Sequence, residues 1–216
     1  MSKIVGYSDN SIVEQTDDGT TTTDNNCTRR TLLKTVGGST VAGFAGCLGG
    51  ADSTERSTPD PIDLSGGKRD DQGGMVIGEH FGPNGQVFYR DHAPENHDNP
   101  AWFHTLCMGL FPYHFDRKRR GWEAVVIYVT DYSVVDYELI GEGGKTYISS
   151  HTAADTFSDA REMTYVADSD LNGGMGKELH PFSSADDASS FAAKHDGETM
   201  TFGELTPEWL SSYLSR

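Results

Sequence analysis

The pattern of apolar and polar residues divides the chain at about residue 74. Residues 48–73 consist mainly of Ser, Thr, Asp, Pro and Gly, with hardly an apolar side chain. A segment of this composition cannot bury a core, so we predict a flexible tether over residues 48–73. Apolar segments recur from residue 74 onward, and we predict that the folded region begins there.

Residues 74–133 predict a first folded unit of two strands, a helix and a third strand. Asn99 is placed to cap a helix that has Pro100 at its first position. The turn Gly82-Pro83-Asn84-Gly85 separates two short extended segments and favours a hairpin. The predicted elements are strands at 75–77 and 86–89, a helix at 101–111 and a strand at 122–130.

In residues 134–216 the pattern first predicts a strand at 134–140 and a short helix at 152–160. It then predicts the same order of elements as in the first unit. Ser184 is placed to cap the helix of this unit, with Asp187 in the capping-box region. The other predicted elements are strands at 163–166, 177–182 and 199–202, and a C-terminal helix that opens at Thr206-Pro207. The predicted fold class is therefore α+β, built from two tandem ββαβ units.

The first 47 residues carry the marks of an export signal. Arg29 and Arg30 form a twin-arginine pair, and a mildly apolar, Gly-rich stretch follows at residues 35–45. This stretch is far shorter than the roughly 20 residues needed to span a bilayer. It leads into Gly46-Cys47, which resembles a lipobox. We predict that residues 1–47 direct twin-arginine export and that Cys47 is lipidated, which anchors the protein to the extracytoplasmic face of the cell membrane.

The charge balance narrows the range of partners. The chain has 33 acidic and 17 basic side chains in 216 residues, a formal net charge of −16. The phosphates of a nucleic acid would repel such a chain, so we expect no nucleic-acid partner. The same charge favours solubility at high salt, where repulsion between carboxylates is screened.

Two methionines stand in an unusual setting. The tripeptide Gly-Gly-Met occurs at residues 73–75 and 173–175, and each methionine is followed five positions later by a histidine. Methionine is usually a core residue, but the flanking glycines leave Met75 and Met175 open to approach. Thioether and imidazole groups together suit a soft ion such as Cu(I). If the two segments meet in the fold, they form a copper site.

Three histidines are candidates for the nitrogen ligands of such a site: His80, His151 and His180. Within one strand a residue five positions away lies on the opposite face, so His80 points away from Met75 and His180 from Met175. A site shared between the two units is therefore favoured over chelation by either segment alone. His151 precedes a predicted helix, where it can equally serve as a hydrogen-bonding group.

The remaining candidates favour ordinary structural roles. Cys107 lies on the apolar face of the predicted helix and is expected to be a buried, unreactive thiol. The spacing of His92 and His97 permits weak zinc binding, but two loop histidines are the simpler interpretation. The sequence contains no nucleophile–base set, phosphate-binding loop or C-x-x-C motif, so we predict that the chain is not an enzyme.

Five short runs are specific enough to suggest a family. They are Gly74-Met75-Val76-Ile77, Asn99-Pro100-Ala101-Trp102-Phe103, Tyr128-Val129-Thr130-Asp131-Tyr132-Ser133, Tyr147-Ile148-Ser149-Ser150-His151 and Gly174-Met175-Gly176. Together they resemble the NosL family of nitrous-oxide-reductase accessory proteins in its halophilic archaeal form, over residues 72–210. The resemblance implies an exported lipoprotein of two ββαβ units that binds Cu(I). It also implies delivery, with a membrane transporter, to the copper centres of nitrous oxide reductase.

Two departures from the family pattern concern the copper site. Gly73 stands where the family has Cys, and Gly174 stands where it has Pro. The resemblance assigns Met75 and Met175 as copper ligands, but the thiolate is missing, so we expect weaker Cu(I) binding. Three alternatives stay open: His and Met complete a weaker site, Cys107 or a partner donates sulfur, or the chain binds no copper.

The sequence thus predicts a membrane-anchored Cu(I)-binding accessory protein whose partner is nitrous oxide reductase or its assembly transporter. The alternative hypothesis is a lipoprotein of the same fold that binds a protein partner and no metal.

Overall fold

The computed structural model describes residues 57–216. The strands are β1 (Gly85–Tyr89), β2 (Ala101–Phe103), β3 (Ala124–Thr130), β4 (Leu139–Glu142), β5 (Lys145–Ile148), β6 (Phe157–Asp159), β7 (Thr164–Ala167), β8 (Leu171–Gly173), β9 (Gly176–Lys177), β10 (His180–Phe182) and β11 (Glu198–Thr201). The helices are α1 (Phe111–Arg119), α2 (Ala185–Lys194) and α3 (Pro207–Leu214). A single π-helical turn, Leu106–Leu110, leads directly into α1. In this part of the chain no helix is both long enough and apolar enough to cross a bilayer.

The first sheet is antiparallel, with the strand order β2-β1-β3-β6. β1 is buried along its whole length because it is covered on both sides and paired at both edges. The chain passes from β2 through the π-helical turn and α1 to β3, so β1, β2, α1 and β3 form a ββαβ arrangement.

The second sheet repeats this connectivity with the strand order β10-β7-β11, again antiparallel. Helix α2 connects its second and third strands. The hydroxyl of Ser184 accepts a hydrogen bond from the backbone N–H of Asp187 at 3.2 Å and so caps α2 as predicted. Phe191 lies on the buried face of this helix.

A third sheet, β4-β5-β8-β9, takes β4 and β5 from the chain between β3 and β6, and β8 and β9 from the chain between β7 and β10. Its central pair, β5 and β8, is parallel, and the outer strands are attached as hairpins. The β8–β9 hairpin carries Met175 in its two-residue turn, since Gly173 pairs with Gly176.

One hydrophobic core joins the two ββαβ arrangements. Phe103 and Phe111 from the first pack in it with Tyr165 and Leu179 from the second, and all four are fully buried. Burial of each such side chain contributes roughly 1.5–3 kcal/mol. The two halves are therefore held together by a shared core.

The first helix begins later than predicted. Residues 101–103 form β2, and helical structure starts only at Leu106. Asn99 does not cap a helix, because its side-chain oxygen accepts a hydrogen bond from the N–H of Tyr89 while its amide donates to the carbonyls of Tyr89 and His92. These hydrogen bonds of Asn99 fix the connection between β1 and β2 instead.

The predicted tether is also too long. Within it, residues 59–73 pack against the first sheet: Leu64 is fully buried and its N–H donates to the carbonyl of Thr152 at 2.8 Å. The amide of Gln86 on β1 also donates to the carbonyl of Ile62. Few apolar residues are needed in this segment, because hydrogen bonds to the first sheet, such as that from the Trp102 indole to the carbonyl of Arg69, hold it in place.

Three other predicted elements differ from those observed. Residues 75–77 make a single bridge, between Val76 and Arg69, and no strand. Of residues 134–140 only the last two belong to a strand, β4, and residues 152–160 contain a 3₁₀ turn followed by β6 rather than a helix. The remaining strands and helices of the second half lie within a few residues of their predicted positions.

Candidate metal centre

The first methionine lies at the end of a tight loop, residues 69–76. The backbone N–H of Asp70 donates to the carbonyl of Met75, and the N–H of Gly74 donates to the carbonyl of Asp70, both at 2.8 Å. Gly74 has φ +71°, a conformation that favours glycine. This geometry leaves the Met75 side chain 37% exposed.

The second methionine lies at the tip of the β8–β9 hairpin. Gly174 and Met175 form its two-residue turn, and Met175 is 51% exposed. Exposed methionine is uncommon because the thioether normally fills apolar gaps. Both methionines that the sequence singled out are therefore accessible to an ion from solvent.

The β8–β9 hairpin touches the segment that carries His80. The N–H of Gly174 donates to the carbonyl of Phe81 at 2.7 Å, and a Cβ atom at Gly174 would lie 3.0 Å from Cβ of His80. A Cβ atom at Gly82 would lie 2.8 Å from Cα of Gly173, so the close approach of the two backbones requires glycine at position 82.

A second histidine connects His80 to the first methionine loop. The ring centroids of His80 and His104 are 5.6 Å apart. A Cβ atom at Gly73 would lie 3.8 Å from Cε1 of His104 and 4.0 Å from Cγ of Met75. Both methionine loops thus border one histidine pair, and we call Met75, Met175, His80 and His104 the methionine–histidine cluster.

His104 is anchored by a buried carboxylate. Its Nδ1 lies 2.6 Å from Oδ2 of Asp70, and its backbone N–H donates to the same oxygen at 2.8 Å. The other carboxylate oxygen accepts from the N–H groups of Gln72 and Gly73. Burial alone would raise the pKa of Asp70, but the hydrogen bonds from His104 and the backbone outweigh it and lower that pKa. Nε2 of His104 has no hydrogen-bond partner among the described residues.

Sequence comparison identifies the family. A profile of the NosL family matches residues 61–210. The chain belongs to the NosL family. A solved structure, the crystal structure of the copper chaperone NosL from Shewanella denitrificans, matches with a TM-score of 0.53 and 22% sequence identity. The match covers 67% of this chain and 94% of that chain, so it shows a shared fold. A comparison with curated proteins finds no match.

Membership in the NosL family confirms the resemblance and the α+β fold class, and with them the prediction that the chain is not an enzyme. Arg29, Arg30 and Cys47 lie outside the described residues, so the export signal and the lipid anchor stay predictions. Gly73, which stands where the family has Cys, faces His104 and Met75 in the structure.

Two of the three predicted nitrogen ligands point elsewhere in this NosL-family fold. His180 is 0% exposed, and its ring packs against those of Tyr132 and Phe191. Burial lowers its pKa to about 4, so it is a neutral core residue. His151 places Nε2 3.0 Å from the hydroxyl of Ser149, and its ring lies edge-on to Tyr132. His151 and His180 thus make other contacts, and of the three predicted histidines only His80 borders a methionine loop.

Cys107 does not replace the missing family cysteine. It is fully buried, and burial together with the nearby carboxylate of Glu178 raises the pKa of its thiol well above the ordinary value. A protonated, buried thiol is a poor copper ligand, since the thiolate is the form that binds. This finding removes the alternative in which Cys107 donates sulfur.

The zinc interpretation of His92 and His97 also fails on geometry. The two rings stack on different tryptophans, His92 on Trp122 and His97 on Trp102. Nε2 of His97 is already bound to Asp71 at 2.9 Å. Within residues 57–216 no three His, Cys, Asp or Glu side chains converge as a metal site. The methionine thioethers offer a different kind of donor, one that suits Cu(I).

Proposed function

We propose that this protein binds Cu(I) as cargo at the methionine–histidine cluster. The proposal depends chiefly on one observation, that two exposed methionine loops from distant parts of the chain border the same pair of histidines. Thioether and imidazole donors match the preference of Cu(I), while they suit hard ions such as Mg²⁺ poorly. The copper chaperone of the same fold supports this choice of metal.

The exposure of the two thioethers suits a carrier rather than a permanent holder. Met75 and Met175 lie at loop tips where a partner's ligands have access to a bound ion. Both thioethers are neutral, so they hold Cu(I) more weakly than a thiolate would. A weakly held ion at an exposed site is suited to transfer by ligand exchange.

We further propose that the protein acts on the extracytoplasmic face of the membrane and delivers copper to nitrous oxide reductase or to its assembly transporter. The family supports this destination, and the twin-arginine and lipobox patterns support the location. The net charge of −16 supports a partner with a basic docking surface, since opposite charges accelerate association.

An anaerobic Cu(I) competition titration against a chromogenic chelator tests the metal proposal. We expect one Cu(I) per chain, with affinity reduced at least tenfold by Met75→Leu or Met175→Leu, because each replacement removes a ligand atom while keeping the side-chain volume. Met200→Leu is the matched control, since Met200 is buried in the core. Absence of stoichiometric uptake by the wild-type protein would contradict the proposal and favour a protein-interaction role without metal.

A further inference from the structure

We propose that Nε2 of His104 is a nitrogen ligand of the copper ion and that Asp70 is the residue that positions it. This inference rests on the proposed function and names a ligand that the sequence pattern did not reveal. Asp70 acts through His104 and is not itself a ligand, because both of its oxygens are occupied by N–H donors.

The hydrogen bonds of Asp70 determine which nitrogen of His104 is free. Oδ2 of Asp70 accepts one bond from a backbone N–H and lies 2.6 Å from Nδ1 of His104. A carboxylate only accepts hydrogen bonds, so Nδ1 must carry the proton. In the neutral imidazole Nε2 then holds a lone pair, which is the state that binds a metal.

The unpartnered Nε2 is the observation that points to a ligand. His104 is 4% exposed, and its Nε2 has no hydrogen-bond partner among residues 57–216. A buried polar atom without a partner is destabilising, because it has lost its hydrogen bonds to water without replacement. Its ring lies within the methionine–histidine cluster, next to His80 and to the position of Gly73. A bound Cu(I) ion would satisfy the orphaned nitrogen.

Asp70 positions the methionine loop as well as the histidine. Its second oxygen accepts from the N–H groups of Gln72 and Gly73, each at 2.7 Å, which fixes the turn that ends at Met75. A Cβ atom at Gly109 would lie 3.1 Å from Oδ2 of Asp70, so glycine at this position leaves room for the carboxylate. One buried carboxylate thus sets the relative position of a thioether and an imidazole.

The pair also supplies negative charge near a site that has lost its thiolate. A carboxylate bonded to the far nitrogen of a ligating imidazole raises the basicity of the ligating nitrogen. Gly73 leaves open the position beside His104 that the family cysteine would occupy. The Asp70–His104 pair compensates in part for the anionic ligand that this chain lacks.

The test combines Cu(I) affinity with two structural readouts on the same variants. His104→Gln keeps a donor for Asp70 but removes Nε2, and Asp70→Asn weakens the hold on the imidazole. We expect Asp70→Asn to lower Cu(I) affinity by about 10–100-fold, the range typical of lost outer-sphere support, and His104→Gln, which removes a ligand atom, to lower it at least as much. Nitrogen-15 NMR of the metal-free protein should show the Nδ1–H form of His104, and X-ray absorption should show nitrogen scattering that decreases in His104→Gln.

Asp71→Asn is the matched control. Asp71 also bonds a histidine, with Nε2 of His97 at 2.9 Å, but that pair stacks on Trp102 outside the cluster. We expect its Cu(I) affinity to stay within twofold of wild type. Circular dichroism and thermal unfolding establish that each variant is folded.

Two results would overturn the inference. If His104→Gln binds Cu(I) with wild-type affinity and unchanged nitrogen scattering, His104 is not a ligand, and the proposed function still stands. If NMR shows the proton on Nε2 of His104 in the metal-free protein, Asp70 does not select the metal-binding form. Failure of the methionine variants to affect binding would count against the proposed function instead.

Discussion

At the residue scale, Gly73 is a position where a ligand can be added. Its backbone is not in the left-handed region, and the nearest side-chain atoms to an added Cβ lie at 3.8 Å, an ordinary contact distance. We predict that Gly73→Cys folds normally and raises Cu(I) affinity by on the order of tenfold or more, because a thiolate adds an anionic soft ligand. The measurement is the same competition titration, with charge-transfer absorption as evidence of a copper–sulfur bond.

Gly73→Ala is the control for that experiment, since it adds the Cβ atom without sulfur. It should bind Cu(I) like wild type. Equal affinities of Gly73→Cys and wild type would show that the position does not face the metal.

At this scale a candidate ligand could be predicted only where its sequence neighbours mark it. Met75 and Met175 were found because their glycine neighbours are adjacent in sequence. His104 was missed because the misplaced helix covered it and because its partner, Asp70, lies 34 residues away. Likewise, nothing in the sequence around His180 reveals that aromatic side chains enclose it. The repeated Gly-Gly-Met is not a repeated structure, since a side chain fits at Gly73 but would clash with Glu178 at Gly173.

At the element scale, the start of the first helical segment depends on Glu178. This fully buried carboxylate accepts hydrogen bonds from the N–H groups of Leu106 and Cys107, at the N-terminal turn before α1. The first N–H groups of a helix have no partner within it, and the oxygens of Glu178 supply acceptors for them. The contact spans more than 70 residues of sequence, so a local pattern at residues 99–101 could not locate the helix start.

We predict that Glu178→Gln lowers the free energy of unfolding by about 1–3 kcal/mol at pH 5, because an amide cannot accept all of these hydrogen bonds. Burial raises the pKa of Glu178 above 4.5, so the folded protein holds this proton more tightly than the unfolded chain. The contribution of Glu178 to stability is therefore greatest below pH 4.5 and declines as the pH rises through the folded pKa.

The difference in the free energy of unfolding between wild type and Glu178→Gln should accordingly become smaller between pH 5 and pH 8. Urea unfolding at several pH values measures it. Glu198→Gln, an exposed strand position, serves as the control and should change stability by less than about 0.5 kcal/mol. A deficit that widens with pH would show that Glu178 is stabilised as the anion.

At the scale of the whole molecule, the charge is both large and uneven. The chain carries 33 acidic and 17 basic side chains, yet Arg117, Arg119 and Arg120 all lie within 4 Å of the single carboxylate of Asp116. These arginines therefore neutralise little of the acidic surface elsewhere. The α+β fold class was predictable at this scale, because segments with strand and helix patterns alternate along the chain. The core that joins the halves was not, because its contacts link residues far apart in sequence.

Uneven acidic charge predicts a stability that depends on screening. The Debye length falls from about 30 Å at 0.01 M salt to about 3 Å at 1 M, so repulsion between exposed carboxylates is largely removed within that range. We predict that the melting temperature rises with KCl, with most of the increase below about 0.5 M. An effect of salt on hydrophobic burial would instead grow at higher concentrations.

Glu95→Gln, Glu142→Gln and Glu198→Gln combined remove three exposed charges and should reduce the rise in melting temperature measured by calorimetry. A melting temperature that is flat below 0.5 M, or a triple variant with the same salt response as wild type, would show that carboxylate repulsion does not limit stability.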